Sequence, residues 1–443
     1  MKKILYTLTA LIALSGFAKA QESVYPAKDY KGLLFITNGT VHVGNGTVIE
    51  NATIKINNGK IVEVGTNIAI PADNVQVFSA KGKQVYPGLI LSSSDLGLKE
   101  ISNGVRASND YTEIGEFNSD VRSIAAYNAD SRVINVLKGN GILLASVNPE
   151  GGVISGSSSV VQLDAWNWED ASYKMDAGIH VNMPSFIVRF GRRGGGGGGF
   201  PGFGGVAAPA DPTKLALDKV EEIKNFFREA KAYNQESNHT NTNLKLAAVK
   251  GLFEKKQKLF VHADQLKQML VAIDFVKEFG FDVVIVGGSE SFQIADLLKS
   301  ANVAVILGEE HALPATEDDD IDQPFKTPAV LQKAGVLFSL NDNSDNTRYR
   351  NVSYNAGTAA TYGLTKEEAL SAITLNAAKI LGVDDKTGSI EVGKDANIIV
   401  TAGDILDMKS STVEIAFIQG RKVSLENKQT QLYDRYKSKY GIK

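Results

Sequence analysis

Between residues 141 and 340 the chain sets short apolar runs, GILLASV, KLFVHA, DVVIVGG, VAVILG and GVLFSL, among amphipathic stretches of helical length. Runs this short, mostly rich in β-branched residues, read as strands buried on both faces. The segments AAYNADSRVINVLKGN, ADQLKQMLVAIDFVKEFG, SFQIADLLKSA and TPAVLQKAG supply the helices between them. Strand, helix and strand in regular order imply a parallel sheet, and about eight such units close a (β/α)8 barrel of the TIM type. Five strands are read directly, so closure is inferred from the repeat.

The two ends have a different texture. From Leu33 the text LLFITNGTVHVGNGTVIENATIKINNGKIVEVG places Asn-Gly pairs at 38–39, 45–46 and 58–59 between alternating apolar segments, the pattern of hairpins. Similar text returns in GSIEVGKDANIIVTAG and VEIAFIQGRKVS. Neither end alone offers enough strands for a two-layer core, so they are expected to pair as one composite β-sandwich domain. That domain joins residues 21–85 to residues 386–425, and the barrel occupies 86–385. The segment GRRGGGGGGFPGFGGVAAPADP, residues 191–212, reads as a flexible insertion, followed by a charged surface helix. NPEGGVISGSSS, residues 148–159, reads as a loop, and residues 426–443 as a C-terminal surface helix docked by its tyrosines.

Lys2 and Lys3, the apolar stretch Ile4 to Phe17 and the triplet Ala18-Lys19-Ala20 predict a secretory signal peptide over residues 1–20, hence a periplasmic or secreted protein. The apolar run falls short of the roughly 20 residues that cross a bilayer, and no membrane span is expected. Loss of that segment would remove three lysines and no acid, moving the formal charge from −3 to −6. A mildly acidic protein has no electrostatic reason to seek nucleic acid or anionic membrane. Cysteine is absent, which excludes thiolate nucleophiles, zinc-thiolate sites and disulfides. No Gly-x-Ser-x-Gly elbow occurs, so a serine hydrolase is unsupported.

At VYPGLILSSSDLG, residues 85–97, the text resembles the first barrel strand of the amidohydrolase superfamily, which carries Pro-Gly-Leu-Ile-Asp-x-His-x-His. NGILLASV is similar to the strand that usually comes second, and NAAKILGVDDKTGSIEVGKDANIIVTAGDIL, residues 376–406, to the return of the last helix into the β domain. In combination these motifs are closest to imidazolonepropionase-like members. The resemblance implies a divalent metal, zinc or manganese, that lowers the pKa of a bound water for attack on an amide or cyclic C–N bond.

The metal positions implied by the resemblance are only partly filled. The first-strand histidine pair matches Ser93 and Asp95, of which serine is a poor ligand and aspartate a usable one. His262 stands where the fifth strand supplies a histidine, and His180, in GIHVNMP, is the candidate on the fourth. The sixth-strand histidine has no counterpart, Gly287 and Gly288 taking its place, where backbone could approach a ligand. The eighth strand should end in the acid–base aspartate: Asp342, or Asn343 in the other register. His311 after the seventh strand and Arg348 after the eighth are candidate substrate contacts. His42 and His239 read as ordinary surface or hairpin residues, and the cluster at Asp318 to Asp322 as a solvated charge run.

Two functions compete. One is a hydrolase of C–N bonds, other than ordinary peptide bonds, in small cyclic amide or peptide-like substrates, with a metal on His262, Asp95 and His180 and Asp342 as general acid and base. The other is a catalytically silent relative, holding no metal, that binds a ligand or supports an active paralogue, as a partner subunit or alone as a homo-oligomer. A fold outlasts its site, so the choice rests on geometry.

Overall fold

The computed structural model describes residues 24–100, 109–186, 211–236, 238–313, 320–342 and 346–442. The predicted signal peptide lies outside the described residues, as does all of the glycine-rich segment except Asp211 and Pro212. Five strands open the chain: β1 (Leu33–His42), β2 (Val48–Asn57), β3 (Lys60–Gly65), β4 (Val75–Ser79) and β5 (Gln84–Pro87). Eight follow in the middle: β6 (Leu89–Ser94), β7 (Ile142–Val147), β8 (Ile154–Gln162), β9 (Ser172–Asn182), β10 (Lys258–Ala263), β11 (Val283–Gly287), β12 (Ala304–Leu307) and β13 (Phe338–Leu340). Three more close it: β14 (Ile398–Thr401), β15 (Val413–Ile418) and β16 (Arg421–Val423).

The first and last groups share one sheet, ordered β16-β15-β14-β5-β1-β2-β3 with β4 beside β1. It has its own core, in which Ile36, Ile54 and Val85 from the N-terminal part meet Ile398, Val400 and Phe417 from the C-terminal part. Asn58 and Gly59, both at positive φ, turn β2 into β3 as expected of an Asn-Gly hairpin. Asn38-Gly39 does something else. Asn38 has φ 61° inside β1, and the pairing with β2 shifts register there. The result is a bulge, which bends β1 so that Leu33 to Thr37 pair with β4 and Thr40 and Val41 with β5.

The eight middle strands form the second sheet in sequence order, β6 through β13. Five of its pairings are parallel, but β8 runs antiparallel to both β7 and β9. The regular (β/α)8 expectation is corrected at this strand. Only residues 148–153 separate β7 from β8, too short a link for a parallel crossover, so the chain reverses. The text read as a loop supplies that strand, and its Ser155, Ser157, Ser158 and Ser159 are buried. The ends of the sheet approach through side chains: Ser339 Oγ donates to Ser92 Oγ at 3.0 Å, and Asn341 Nδ2 donates to the Ser93 carbonyl at 2.7 Å. The sheet is thus nearly closed.

Helices cover it. The helix Pro212–Gln235 starts on an Asp211 cap with proline at its first position, and buries Ala216, Val220, Ile223, Phe227 and Ala230 along one stripe. Phe227 packs edge-on against Phe275 and Phe281, so this helix belongs to the core despite its charged outer face. The C-terminal helix Lys428–Tyr440 is held by its Asn427 cap, and its tyrosines do not dock it: Tyr433, Tyr436 and Tyr440 are exposed. Among the described residues no helix is long and apolar enough to cross a membrane.

His42, read from sequence as an ordinary surface or hairpin residue, sits between its own sheet and the helix Lys366–Ala372. Its Nδ1 lies 2.6 Å from Glu367 and its Nε2 3.0 Å from Gln84, and its ring stacks on Tyr86. Burial pulls its proton affinity down, but the hydrogen bonds to Glu367 and Gln84 and the charges of Glu367 and Asp404 outweigh it, leaving the pKa above 6.5. A raised folded-state pKa stabilises the protein fully below the unfolded value of about 6.5, and that gain is lost as pH rises through the folded value. NMR titration should therefore place the His42 midpoint above 6.5. His42→Gln should flatten the decline of stability above that pH, and an unchanged slope would remove His42 as its source.

Candidate functional site

The strand ends of the nearly closed sheet bring together three groups of polar side chains. The first surrounds Ser93. Asn148 Nδ2 donates to Ser93 Oγ at 2.8 Å, Ser146 Oγ donates to Asn148 Oδ1 at 2.8 Å, and Ser94 Oγ donates to the Ser146 carbonyl at 2.7 Å. With Ser92, Ser339 and Asn341 these make a buried lattice of small neutral groups hydrogen-bonded to one another.

Asp95 has left the strand ladder. Its carboxylate accepts from Tyr349 Oη at 2.6 Å and faces Lys99 Nζ at 3.5 Å, while its backbone N–H donates to the same tyrosine oxygen. Burial, then the Asp95 charge, pushes the Tyr349 hydroxyl well above its ordinary value, so the phenol remains a donor to the carboxylate. Glu150 completes this cluster, raised by burial and by Asp95 and lowered by Lys99.

The second group is a histidine pair. Phe260 on β10 pairs with His180 on β9, so His262, two residues further along, lies on the same face as His180. His180 Nδ1 stands 2.9 Å from His262 Nε2, and the His180 ring stacks flat on Phe260. Burial lowers the His180 pKa well below 6.5, helped by His262; desolvation also pulls His262 down, to about 4, although part of its ring stays accessible. Both are neutral at pH 7, one ring N–H donating to the other's lone pair.

The three metal residues expected from sequence are therefore only partly gathered. His180 and His262 meet, but their facing nitrogens satisfy each other, and Asp95 is committed to Tyr349 and Lys99. Among the described residues no three His, Cys, Asp or Glu side chains gather at metal-ligand spacing. A catalytic metal needs three protein ligands and an open position, which this donor set does not fit.

The third group lies past β12 and β13. Asp342 is fully buried, with Arg348 Nε 3.6 Å and Asn355 Nδ2 3.4 Å from its Oδ2. Arg348 also pairs with Glu309, so the cation proposed to grip a substrate is held by two acids of the chain. Asn343, the alternative register, lies outside the described residues. Glu310 is buried beside this group, its proton affinity raised well above the carboxylate range by burial and by the Asp342 charge.

Gly287 and Gly288 have local reasons to be glycine. Both have positive φ, and a Cβ on Gly287 would come within 2.5 Å of Asp264 Oδ1. His311 is exposed and meets Thr358 Oγ1 at 3.2 Å through Nε2. The sequence reading missed Glu310, Tyr349 and the serine–asparagine lattice. Adjacent acids after an apolar strand, in LGEEHALP, were the available signal for Glu310.

The amidohydrolase family model matches residues 219–424. An imidazolonepropionase from Picrophilus torridus is 32% identical over 176 residues, covering 38% of this chain and 42% of that protein. The chain thus spans less than half the length of that relative. An amidohydrolase from Thermotoga maritima superposes with a TM-score of 0.75 at 25% identity, covering 88% of this chain and 99% of that one. A prolidase complexed with N-methylphosphonate-L-proline superposes with a TM-score of 0.55 at 16% identity over 88% of this chain and 99% of that one, a likeness of fold alone. Sheet order and these matches agree: residues 219–424 match the amidohydrolase family model, and the chain is similar to imidazolonepropionases in sequence and to a solved amidohydrolase in fold.

Proposed function

We propose that the protein, exported to the periplasm, hydrolyses C–N bonds of small cyclic amide or peptide-like molecules on its nearly closed eight-stranded frame, with Asp342 as general acid and base. One observation carries this reading: a fully buried carboxylate stands just past the eighth strand, oriented by Arg348 and Asn355. Water adds its oxygen to the amide carbon while Asp342 takes its proton. The C–N bond then breaks, and Asp342 returns that proton to the leaving nitrogen, so that amide and water become carboxylic acid and amine. The described donors offer no three-ligand metal set, so activation of the water is assigned to Asp342.

The silent reading is favoured by a separate observation, the closed serine–asparagine lattice where relatives would need first-strand donors. One assay separates the two. Purified protein is incubated with hydantoins, lactams and cyclic dipeptides, and ring-opened product is followed by mass spectrometry. The hydrolase reading expects at least one substrate to open, and not with Asp342→Asn. If the whole panel stays closed, that reading fails and the silent one replaces it.

A further inference from the structure

Glu310 lies three residues past β12, and Asp342 two residues past β13, the strands being neighbours through Leu307 and Leu340. Glu310 is only 3% exposed, yet neither carboxyl oxygen has a hydrogen-bond partner among the described residues. The nearby guanidinium of Arg348 is committed to Glu309 and Asp342.

An isolated carboxylate out of water is too costly to stay ionised, and the adjacent Asp342 charge opposes ionisation further. Glu310 is thus a neutral acid, with one O–H donor and one C=O acceptor side by side. Native proteins leave few buried polar groups unpaired, because each costs stability. A group held in this state at the strand ends, next to the acid–base residue, is available to a ligand.

We propose that Glu310 is a substrate-binding residue that pairs edge to edge with a cis amide, its O–H donating to the ligand carbonyl and its C=O accepting from the ligand N–H. This deepens the hydrolase reading and rests on it for the location of the reacting bond. Rings such as lactams, hydantoins and cyclic dipeptides hold N–H and C=O on one edge. An open-chain trans amide holds them on opposite edges and can satisfy only one of the two. A neutral ligand also suits the site, since Asp342 disfavours an anion.

The test is ligand-observed saturation-transfer NMR on the intact protein, with δ-valerolactam and hydantoin as cis probes and N-methylacetamide as the trans probe. Wild type should bind the cis probes roughly tenfold or more tightly than the trans probe, the worth of about one hydrogen bond. Glu310→Leu should lose cis binding by a similar factor. Glu310→Gln, which keeps a donor and an acceptor side by side, should retain it.

Thermal unfolding supplies the control. Glu310→Leu removes an unpaired buried polar group and should melt above wild type, whereas a glutamate kept for structure would melt lower when replaced. The proposal is overturned if wild type ignores the cis probes, if the trans probe binds as well, if Glu310→Leu binds like wild type or melts lower, or if Glu310→Gln loses binding. Cis binding without ring opening would remove the hydrolase reading and leave Glu310 in its role. Ring opening indifferent to Glu310→Leu would do the reverse.

Discussion

Replacing Asp164 with alanine is expected to destabilise the fold by about 3–5 kcal/mol, the usual effect of breaking a buried ion pair from one side. The Asp164 side chain is fully buried and accepts from Lys138 Nζ at 2.9 Å, from Arg421 Nη1 at 3.3 Å and from the backbone N–H of Ala27 at 2.8 Å. Arg421 also donates to the Ala27 carbonyl at 3.0 Å. Lys138 comes from the helix Arg132–Gly139, Asp164 from the chain just after β8, and Arg421 from the start of β16. One carboxylate therefore joins both sheets and the N-terminal segment, and its loss leaves Lys138 without this acid and Arg421 with the exposed Asp29 at 3.9 Å. Denaturant unfolding of Asp164→Ala measures the effect. The triple variant Asp164→Leu, Lys138→Met, Arg421→Met should regain much of the loss, since well-packed apolar groups can replace a buried ion cluster. A fall below 1 kcal/mol for the single variant would show that water reaches the cluster.

Asp342→Asn is expected to lower kcat on any ring-opening substrate by about 10²–10⁴-fold, the range for loss of a positioned acid–base group. The asparagine keeps the size of the side chain and its approach to Arg348 and Asn355, so the melting temperature should change little beside the rate. KM should move far less than kcat, because the group acts on the proton in transit rather than on ligand affinity. Asp342→Glu should restore part of the rate. If kcat and KM both stay near wild type in Asp342→Asn, another group moves the proton and the proposed role fails.

The parts of the site legible in sequence were those that matched strand positions of the resembled family. His262 was read through the resemblance to the family's fifth-strand histidine, and His180 on the neighbouring strand lands two register positions away on the same face. Their mutual hydrogen bond was not readable, because it depends on how two strands 82 residues apart align. Asp95 was read as a ligand through the resemblance of its strand to the family's first-strand histidine pair, while its actual partner, Tyr349, lies 254 residues away. Glu310 was not singled out in sequence; its burial is a property of what packs around it.

The same division holds for the fold. Local text dictated the apolar strands, the Asn58-Gly59 turn and the helix at Pro212, since propensity and periodicity act over a few residues. The reversal at β8, the bulge at Asn38, the meeting of Asp164 with Lys138 and Arg421, and the isolation of Glu310 beside Asp342 came only with assembly. Each depends on contacts distant in sequence, where a charge gains or loses its partner according to the surfaces that close over it.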